Sequence, residues 1–290
     1  MELGQIDTHT DAFEAARGRL FGLAYRMLGS RADAEDVVQE TYVRWHQAPR
    51  DTIRQPAAWL VTTATRLSID RLRAARTARE AYSGPWLPDP LLGAAPPSPD
   101  HHLEFASDLS QAFLLLLERL APEERAAFLL HDVFDTGYAD IARTLGKSEQ
   151  ACRQIVHRAR QRVRGTQRRF EASADGHRQL LDTFTAALQA QDEAALLQLF
   201  TPDVVWTADG GGVVHASPRP IEGAQRVARL ALGLQRIYDR HGVALEHAWV
   251  NGQPGLVLRA EGQVRATFAI DTDDGRIAGV YVVLNPAKLP

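Results

Sequence analysis

Over residues 10 to 80 apolar positions recur every three or four residues, the spacing of a buried helical stripe. In SRADAEDVVQETYVRWHQ, Ser30 stands as an N-cap with Asp33 three residues on, and Ala34, Val37, Val38, Thr41 and Trp45 fall on one stripe. Glu35, Asp36, Gln39, Glu40 and Arg44 face the other way. A second long helix, PAAWLVTTATRLSIDRLRAARTARE, opens with Pro56 and gathers Arg66, Arg71, Arg73, Arg76 and Arg79 toward its C-terminal half.

The period then breaks. YSGPWLPDP, residues 82 to 90, can be neither helix nor central strand, because each proline removes a backbone donor and restricts the residue before it. An extended segment bearing Tyr82, Trp86 and Leu87 exposes much apolar area unless it docks on a surface. The linker, 81 to 106, closes with GAAPPSPDHH, the composition of a mobile segment. Helical spacing resumes over 107 to 169: a helix from Pro122 to Val133, a short one in GYADIARTLG ended by Gly146, and SEQACRQIVHRARQRVR from Ser148. Two helices joined by a tight glycine turn, the second strongly basic, form the helix-turn-helix pattern.

From 175 to 290 the pattern changes again. One amphipathic helix, HRQLLDTFTAALQAQDEAALLQLF, leads to the turn DGGG and a helix near 223 to 240. Three strand-like runs follow, VALEHAWV, LVLRAEGQVRATFAI and RIAGVYVVL. Helices first and antiparallel strands afterwards predict an α+β layout.

Composition adds little until it is resolved along the chain. A 45% hydrophobic, 24% charged sequence of 290 residues has core material for two or three domains. No apolar run approaches the roughly 20 residues that span a bilayer, and MELGQIDTHTDAFEAARGR lacks the zones of a signal peptide, so a cytoplasmic protein without membrane contact is expected. Cys152, the lone cysteine, excludes an intrachain disulfide and a cysteine-rich zinc cluster, and its helix position predicts a buried thiol. The net charge of −3 hides an asymmetry: KSEQACRQIVHRARQRVRGTQRR carries a single acid, Glu149, while acids outnumber bases after Asp175. A polyanion-binding part and a part that binds none are implied.

Cys152, Val156, Ala159 and Val163 fall on one stripe of the basic helix, leaving Arg153, Gln154, His157, Arg158 and Arg160 on the other. Arginine and glutamine can pair bidentately with base edges in a major groove, surplus arginines reach phosphates, and Ser148 with its neighbouring amides can take a phosphate oxygen.

RLFGLAYRMLGSRADAEDVVQETYVRWHQ, PAAWLVTTATRLSIDRLR and GYADIARTLGKSEQACRQIVHRARQRVR, in this order, resemble an extracytoplasmic-function sigma factor. YSGPWLPDP, the DGGG at 209 to 212 and the terminal NPAKL narrow the resemblance to the subgroup with a SnoaL-like C-terminal extension. It implies a multidomain chain: sigma region 2 over 10 to 80, the linker 81 to 106, region 4 over 107 to 169, and an α+β, cone-shaped SnoaL-like domain over 175 to 290. It implies core RNA polymerase and promoter DNA as partners, no cofactor or metal, and no catalysis. Glu35, Asp36, Gln39 and Glu40 would dock on the clamp helices of the largest-type subunit. Arg54, Trp59, Thr62, Arg66, Arg71, Arg73 and Arg76 would hold the melted minus-ten element, where single-strand recognition needs charge and aromatic faces; Trp59 has a competing reading as core. Ser148, Gln150, Arg153, Gln154, His157, Arg158 and Arg160 would read the minus-thirty-five element. The chain departs from the subgroup's pattern at Val213, where a lysine usually follows the glycines, and at Ala287, where an acid usually stands; any charge pairing through those two is absent here.

For the C-terminal domain, Asp209, His215, Trp206, His247 and Tyr281 could line a cavity for a small ligand, although no spacing among them dictates catalysis. The favoured expectation is a built-in regulator. Tyr82, Gly84, Pro85, Trp86, Leu87 and Pro88 would dock between the sigma-like domains and this domain, against the turn Asp209, Gly210, Gly211 and Gly212, where missing side chains permit close contact, and the resemblance adds Asn285, Pro286, Lys288 and Leu289 of the terminal motif to the regulatory residues. A helix-turn-helix regulator with a ligand-sensing domain, independent of polymerase, is the alternative. A SnoaL-type enzyme with a DNA-binding appendage is a third reading.

Overall fold

The computed structural model describes residues 3–49, 53–93, 109–164 and 174–290. The segment GAAPPSPDHH and the end of the basic run lie outside these residues, apart from Gly93. The chain divides into two compact units, residues 1–78 with 116–163 and residues 79–115 with 164–290. Both candidate DNA-reading zones thus share one unit, and the linker belongs to the other.

In the first unit α1 (Leu3–Leu28) and α2 (Arg31–Gln47) pair closely, followed by α3 (Pro56–Glu80). The expected stripe of α2 is its buried face, and the Ser30 side chain accepts from the Asp33 amide at 3.3 Å. Leu20, Leu23, Ala24, Tyr25 and Met27 of α1 are completely buried, as is Leu60 of α3. Trp59 is only half-buried and packs on Trp45 with ring centroids 5.4 Å apart. Helix α4 (Gln111–Leu117) lies mostly in the second unit; beyond it, the helix opened by Pro122 runs as α5 (Pro122–Phe128) and widens into a π-type turn over Leu129–Val133. Helices α6 (Tyr138–Leu145) and α7 (Glu149–Arg164) form the helix-turn-helix, with Gly146 left-handed at φ 65° between them. Buried Arg125 of α5 donates to the carbonyl of Met27 at 2.6 Å, in the last turn of α1, and to Glu118 at 2.8 Å.

The second unit carries a seven-stranded sheet in the order β1-β4-β5-β6-β7-β2-β3. The strands are β1 (Leu92–Gly93), β2 (Phe200–Asp209), β3 (Ile221–Glu222), β4 (Leu245–Val250), β5 (Gln253–Ala260), β6 (Gln263–Asp273) and β7 (Arg276–Val283). Leu181 and Phe184 of α8 (Ala174–Gln189), Leu196 of α9 (Glu193–Leu199) and Val227 and Leu232 of α10 (Ala224–Arg240) share a core with Phe200, Trp206, Leu256, Phe268, Ile270 and Val280 of the sheet.

Three details differ from the sequence reading. The helix read across residues 177 to 200 is broken at Gln191, φ 54°, and restarted by Asp192, whose side chain accepts from the Ala195 amide. LVLRAEGQVRATFAI is two strands, because Glu261 and Gly262 both take positive φ in a tight hairpin turn; Asn251–Gly252 and Asp274–Gly275 do the same. FTPDVVWTAD, not read as a strand, is β2; its proline and aspartate fall at an irregularity, and it pairs parallel with β7.

Candidate functional site

The basic face of α7 forms as its spacing requires. Cys152, Val156, Ala159 and Val163 are buried, with burial raising the Cys152 thiol above its usual range. Gln150, Arg153, Gln154, His157 and Arg158 are exposed, and Arg160 is half-exposed. Arg153, Gln154, His157, Arg158 and Arg160 line one shallow depression with Tyr138. The face is pre-arranged by neighbours: the Arg153 guanidinium lies 5.1 Å from the Tyr138 ring centre and pairs with Glu149, Arg160 pairs with Asp132 of the π-type turn, and His157 bonds Gln161. The Ser148 hydroxyl accepts from the Ala151 amide at 3.2 Å, capping the helix.

On α3 four of the expected minus-ten residues, Thr62, Arg66, Arg71 and Arg73, have partners within the same unit. The Arg66 guanidinium donates to the carbonyls of Thr144 and Arg143 at 2.9 and 2.8 Å, the last carbonyls of α6, where a cation also complements the helix dipole. Thr62 and Thr144 share a hydrogen bond at 3.0 Å. Arg71 pairs with Asp33 and Asp36, and Arg73 with Glu123, which also holds Lys147. Arg54 and Arg76 are exposed. Trp59, Thr62 and Arg66 line a cleft against Asp140, Arg143 and Thr144. On α2, Glu35 pairs with Arg31 and Glu40 with Arg44, beside exposed Asp36 and Gln39.

The second cluster is the linker cradle. Asp209, at the end of β2, is completely buried. One carboxylate oxygen accepts from the Tyr82 hydroxyl at 2.6 Å and the Gly211 amide at 3.0 Å; the other accepts from the Leu87 amide and the Lys288 ammonium, both at 2.8 Å. Lys288 donates also to the Leu87 carbonyl at 2.5 Å, so one ion pair takes hold of both polar groups of a single linker residue. Asn285 donates to the Tyr82 hydroxyl at 2.8 Å. The ammonium sits 4.3 Å from the Trp86 ring centre, and Arg79 covers Trp86 at 4.2 Å. Burial pushes Tyr82 above the ordinary phenol range, with its bond to Asp209 acting the same way; burial also pulls Lys288 down, against the opposing effect of Asp209.

The glycines have geometric reasons. Gly211 and Gly212 sit at φ 62° and 72°; a Cβ on Gly211 would stand 2.4 Å from the Asn285 side chain, and one on Gly212 2.9 Å from Ser83 of the linker. A Cβ on Gly210 would meet the Val214 carbonyl at 2.2 Å. Leu87 and Pro88 are buried and Pro85 is half-buried; Gly84, at φ 82°, and Pro286 are exposed, and Leu289 is half-exposed. Val213 and Ala287 are both exposed, and Lys288 makes the ion pair with Asp209. The residues named for a cavity have separate settings: Trp206 is in the core against Phe268, Asp209 holds the linker, His247 pairs with Asp182 on the surface, His215 is exposed and Tyr281 is half-buried.

Sequence reasoning missed Asn251, which holds the linker elsewhere. Its only signal was an Asn-Gly pair, which marks a turn and says nothing of a partner.

A model of Sigma-70 region 2 matches residues 12–78, and one of Sigma-70 region 4 matches residues 110–163. The ECF RNA polymerase sigma factor SigJ of Mycobacterium tuberculosis is 37% identical over 95% of this chain and 91% of that protein. The chain belongs to the extracytoplasmic-function sigma factors. The probable ECF RNA polymerase sigma factor SigI of the same organism is 30% identical over 99% of this chain and 97% of that protein. The crystal structure of M. tuberculosis SigJ superposes with a TM-score of 0.78 at 35% identity, covering 96% of this chain and 97% of that one. The first unit thus carries region 2 and region 4 from residue 116 on, and the second carries the SnoaL-like extension with the linker and residues 110–115 of the region 4 match. This sigma factor binds core RNA polymerase and promoter DNA and directs promoter-specific initiation. Among the described residues no helix is long and apolar enough to cross a membrane.

Proposed function

We propose that the C-terminal domain of this sigma factor governs initiation by gripping the linker between regions 2 and 4. The buried Asp209–Lys288 pair supports this reading most directly. It spends its hydrogen bonds on the Leu87 backbone and Tyr82, whereas a pair serving only the domain's own stability would need no linker. In the same reading α7 presents Arg153, Gln154, His157 and Arg158 to the minus-thirty-five element, with Ser148, Gln150 and Arg160 beside them. Helix α3 holds the minus-ten strand once Arg66, Arg71 and Arg73 exchange their present partners for phosphates. Such exchange is inexpensive, because Arg73 and Arg71 pair at the surface, where ion pairs contribute about 0–1 kcal/mol. The acidic face of α2, Glu35, Asp36, Gln39 and Glu40, is assigned to the clamp helices of the polymerase's largest-type subunit. The protein acts in the cytoplasm, where the polymerase is, and no small ligand or turnover is needed for this function.

In vitro transcription with bacterial core polymerase tests the assignment, comparing the full chain, a chain ending at Arg169, and Asp209→Asn, on a promoter selected from a random library. Altered core-dependent initiation in both altered chains is expected. Equal initiation from all three would remove the regulatory role and leave the sigma activity standing.

A further inference from the structure

The cradle around Asp209 holds the linker where it leaves α3. A second attachment lies at the β1 edge of the sheet. Leu92 and Gly93 form β1, an extra edge strand paired antiparallel with Val250 and Trp249 of β4. Just beyond, in the β4–β5 turn, Asn251 is almost completely buried at φ 53°. Its backbone amide donates to the Leu91 carbonyl at 2.8 Å, and its side-chain oxygen accepts from the Leu91 amide at 2.8 Å. Its side-chain nitrogen donates to the carbonyl of Leu109 at 3.0 Å. Leu109 directly precedes the first residue matched by region 4, Ser110. Next to this, Gln111 donates to the Pro88 carbonyl at 3.1 Å. One amide side chain therefore joins two points of the chain separated by most of the linker.

Loop closure of this kind has a definite consequence. The roughly 20 residues from Leu91 to Ser110, if free, span about 25 Å on average and up to about 65 Å extended. Held at both ends by Asn251, they contribute no reach at all. Both the stretch leaving region 2 and the residue leading into region 4 are then fixed to one domain, and the distance between them is set by that domain. Promoter spacing is a matter of both length and angle: adding 2 bp moves the upstream element about 7 Å and turns it about 70°. A flexible linker absorbs such a change with little loss of effective concentration, whereas a closed one does not.

We propose that Asn251 is a positioning residue for spacer selectivity: by closing the linker onto the C-terminal domain it restricts this sigma factor to a narrow range of distances between the minus-thirty-five and minus-ten elements. The inference rests on the reading that the domain grips the linker during initiation, and adds where and to what effect.

Two substitutions separate its parts. Asn251→Gly accepts the positive φ and keeps the backbone bond to Leu91 while removing both side-chain bonds. Asn251→Asp keeps the acceptor for the Leu91 amide, loses the donor to Leu109 and sets a carboxylate against that carbonyl. The experiment is core-dependent transcription by the full-length proteins on promoters with fixed elements and spacers of the best length and of 1 and 2 bp either side, with thermal melting alongside. The unaltered protein is expected to lose at least about tenfold at ±2 bp, and both variants no more than about threefold, with activity at the best spacing retained. A range as narrow in both variants as in the unaltered protein would overturn the proposal. If Asn251→Gly broadens the range and Asn251→Asp does not, the hold on Leu109 is overturned as the cause. Asp209→Asn is run in the same series: altered transcription there, with unchanged spacer tolerance in the Asn251 variants, overturns this inference alone. No effect of any of the three overturns the linker reading with it.

Discussion

The two charged clusters of this sigma factor are built on opposite principles. Along α7 Arg153, Arg158 and Arg162 are exposed and Arg160 is half-exposed, and Arg153, Arg160 and Arg162 pair with Glu149, Asp132 and Glu124. In the linker cradle a single acid and a single base are withdrawn from water, their side chains 0% and 9% exposed. Exposed pairs cost little to form and little to give up, so they suit a surface that must trade carboxylates for phosphates. A buried pair is weak as a source of stability but severe when broken, because the survivor keeps its desolvation penalty without its partner. Reversible contact with DNA calls for the first arrangement, and a fixed grip on one backbone residue calls for the second.

Breaking the pair in the cradle is expected to have the largest effect. Asp209→Ala leaves the Lys288 ammonium among Tyr82, Trp86 and Leu87 without its carboxylate and should destabilise the C-terminal unit by about 3–5 kcal/mol in denaturant unfolding. Adding Lys288→Met should recover part of that loss; a double variant as unstable as the additive sum would show that the two charges are not coupled. Next in size is Gly211→Ala, where a Cβ would collide with Asn285 at a left-handed φ; a loss of about 1–3 kcal/mol is expected, read as a lower melting midpoint.

A smaller effect separates the cradle by pH. The raised folded value of Tyr82 means that the folded chain keeps a proton the unfolded chain gives up, so this contribution is intact below about pH 10 and lost as pH rises beyond it. The stability gap between the unaltered protein and Tyr82→Phe should therefore be flat from neutral pH to about 10 and shrink above, and a gap that widened would contradict the assigned shift. On the other side of the comparison, Arg158→Ala should leave the melting midpoint within about 0.5 kcal/mol equivalent. It should weaken promoter binding by the polymerase complex and reduce the salt slope by about one unit if the residue contacts a phosphate. A stability change larger than the binding change would place Arg158 in the fold instead of at the interface.

Legibility followed the range of the interactions. The stripes of α2 and α7 could be read at once, since Ala34 to Trp45 and Cys152 to Val163 are placed by helical period alone. The docking of YSGPWLPDP was legible as a need, because Tyr82, Trp86 and Leu87 had to be covered, and the triple glycine pointed to where a backbone could come close. Strand β2 was obscured by Pro202 and Asp203 at its irregular start, and the break at Gln191 by apolar residues that keep helical spacing on both sides of it. The partners of Arg66 could not be read at all: nothing near residue 66 in the sequence indicates that its guanidinium meets the carbonyls of Arg143 and Thr144.

By itself the sequence determined the helical stripes of α2 and α7, the basic face of α7 and the extended character of the linker. All of these follow from properties of neighbouring residues: side-chain period, capping, and the restricted torsions of proline and glycine. Only the tertiary structure decided that Lys288 neutralises Asp209, and that Asn251 joins Leu91 to Leu109. Those choices depend on which distant backbone groups arrive unpaired in the same buried space. A buried donor or acceptor must find a partner there whatever its distance along the chain.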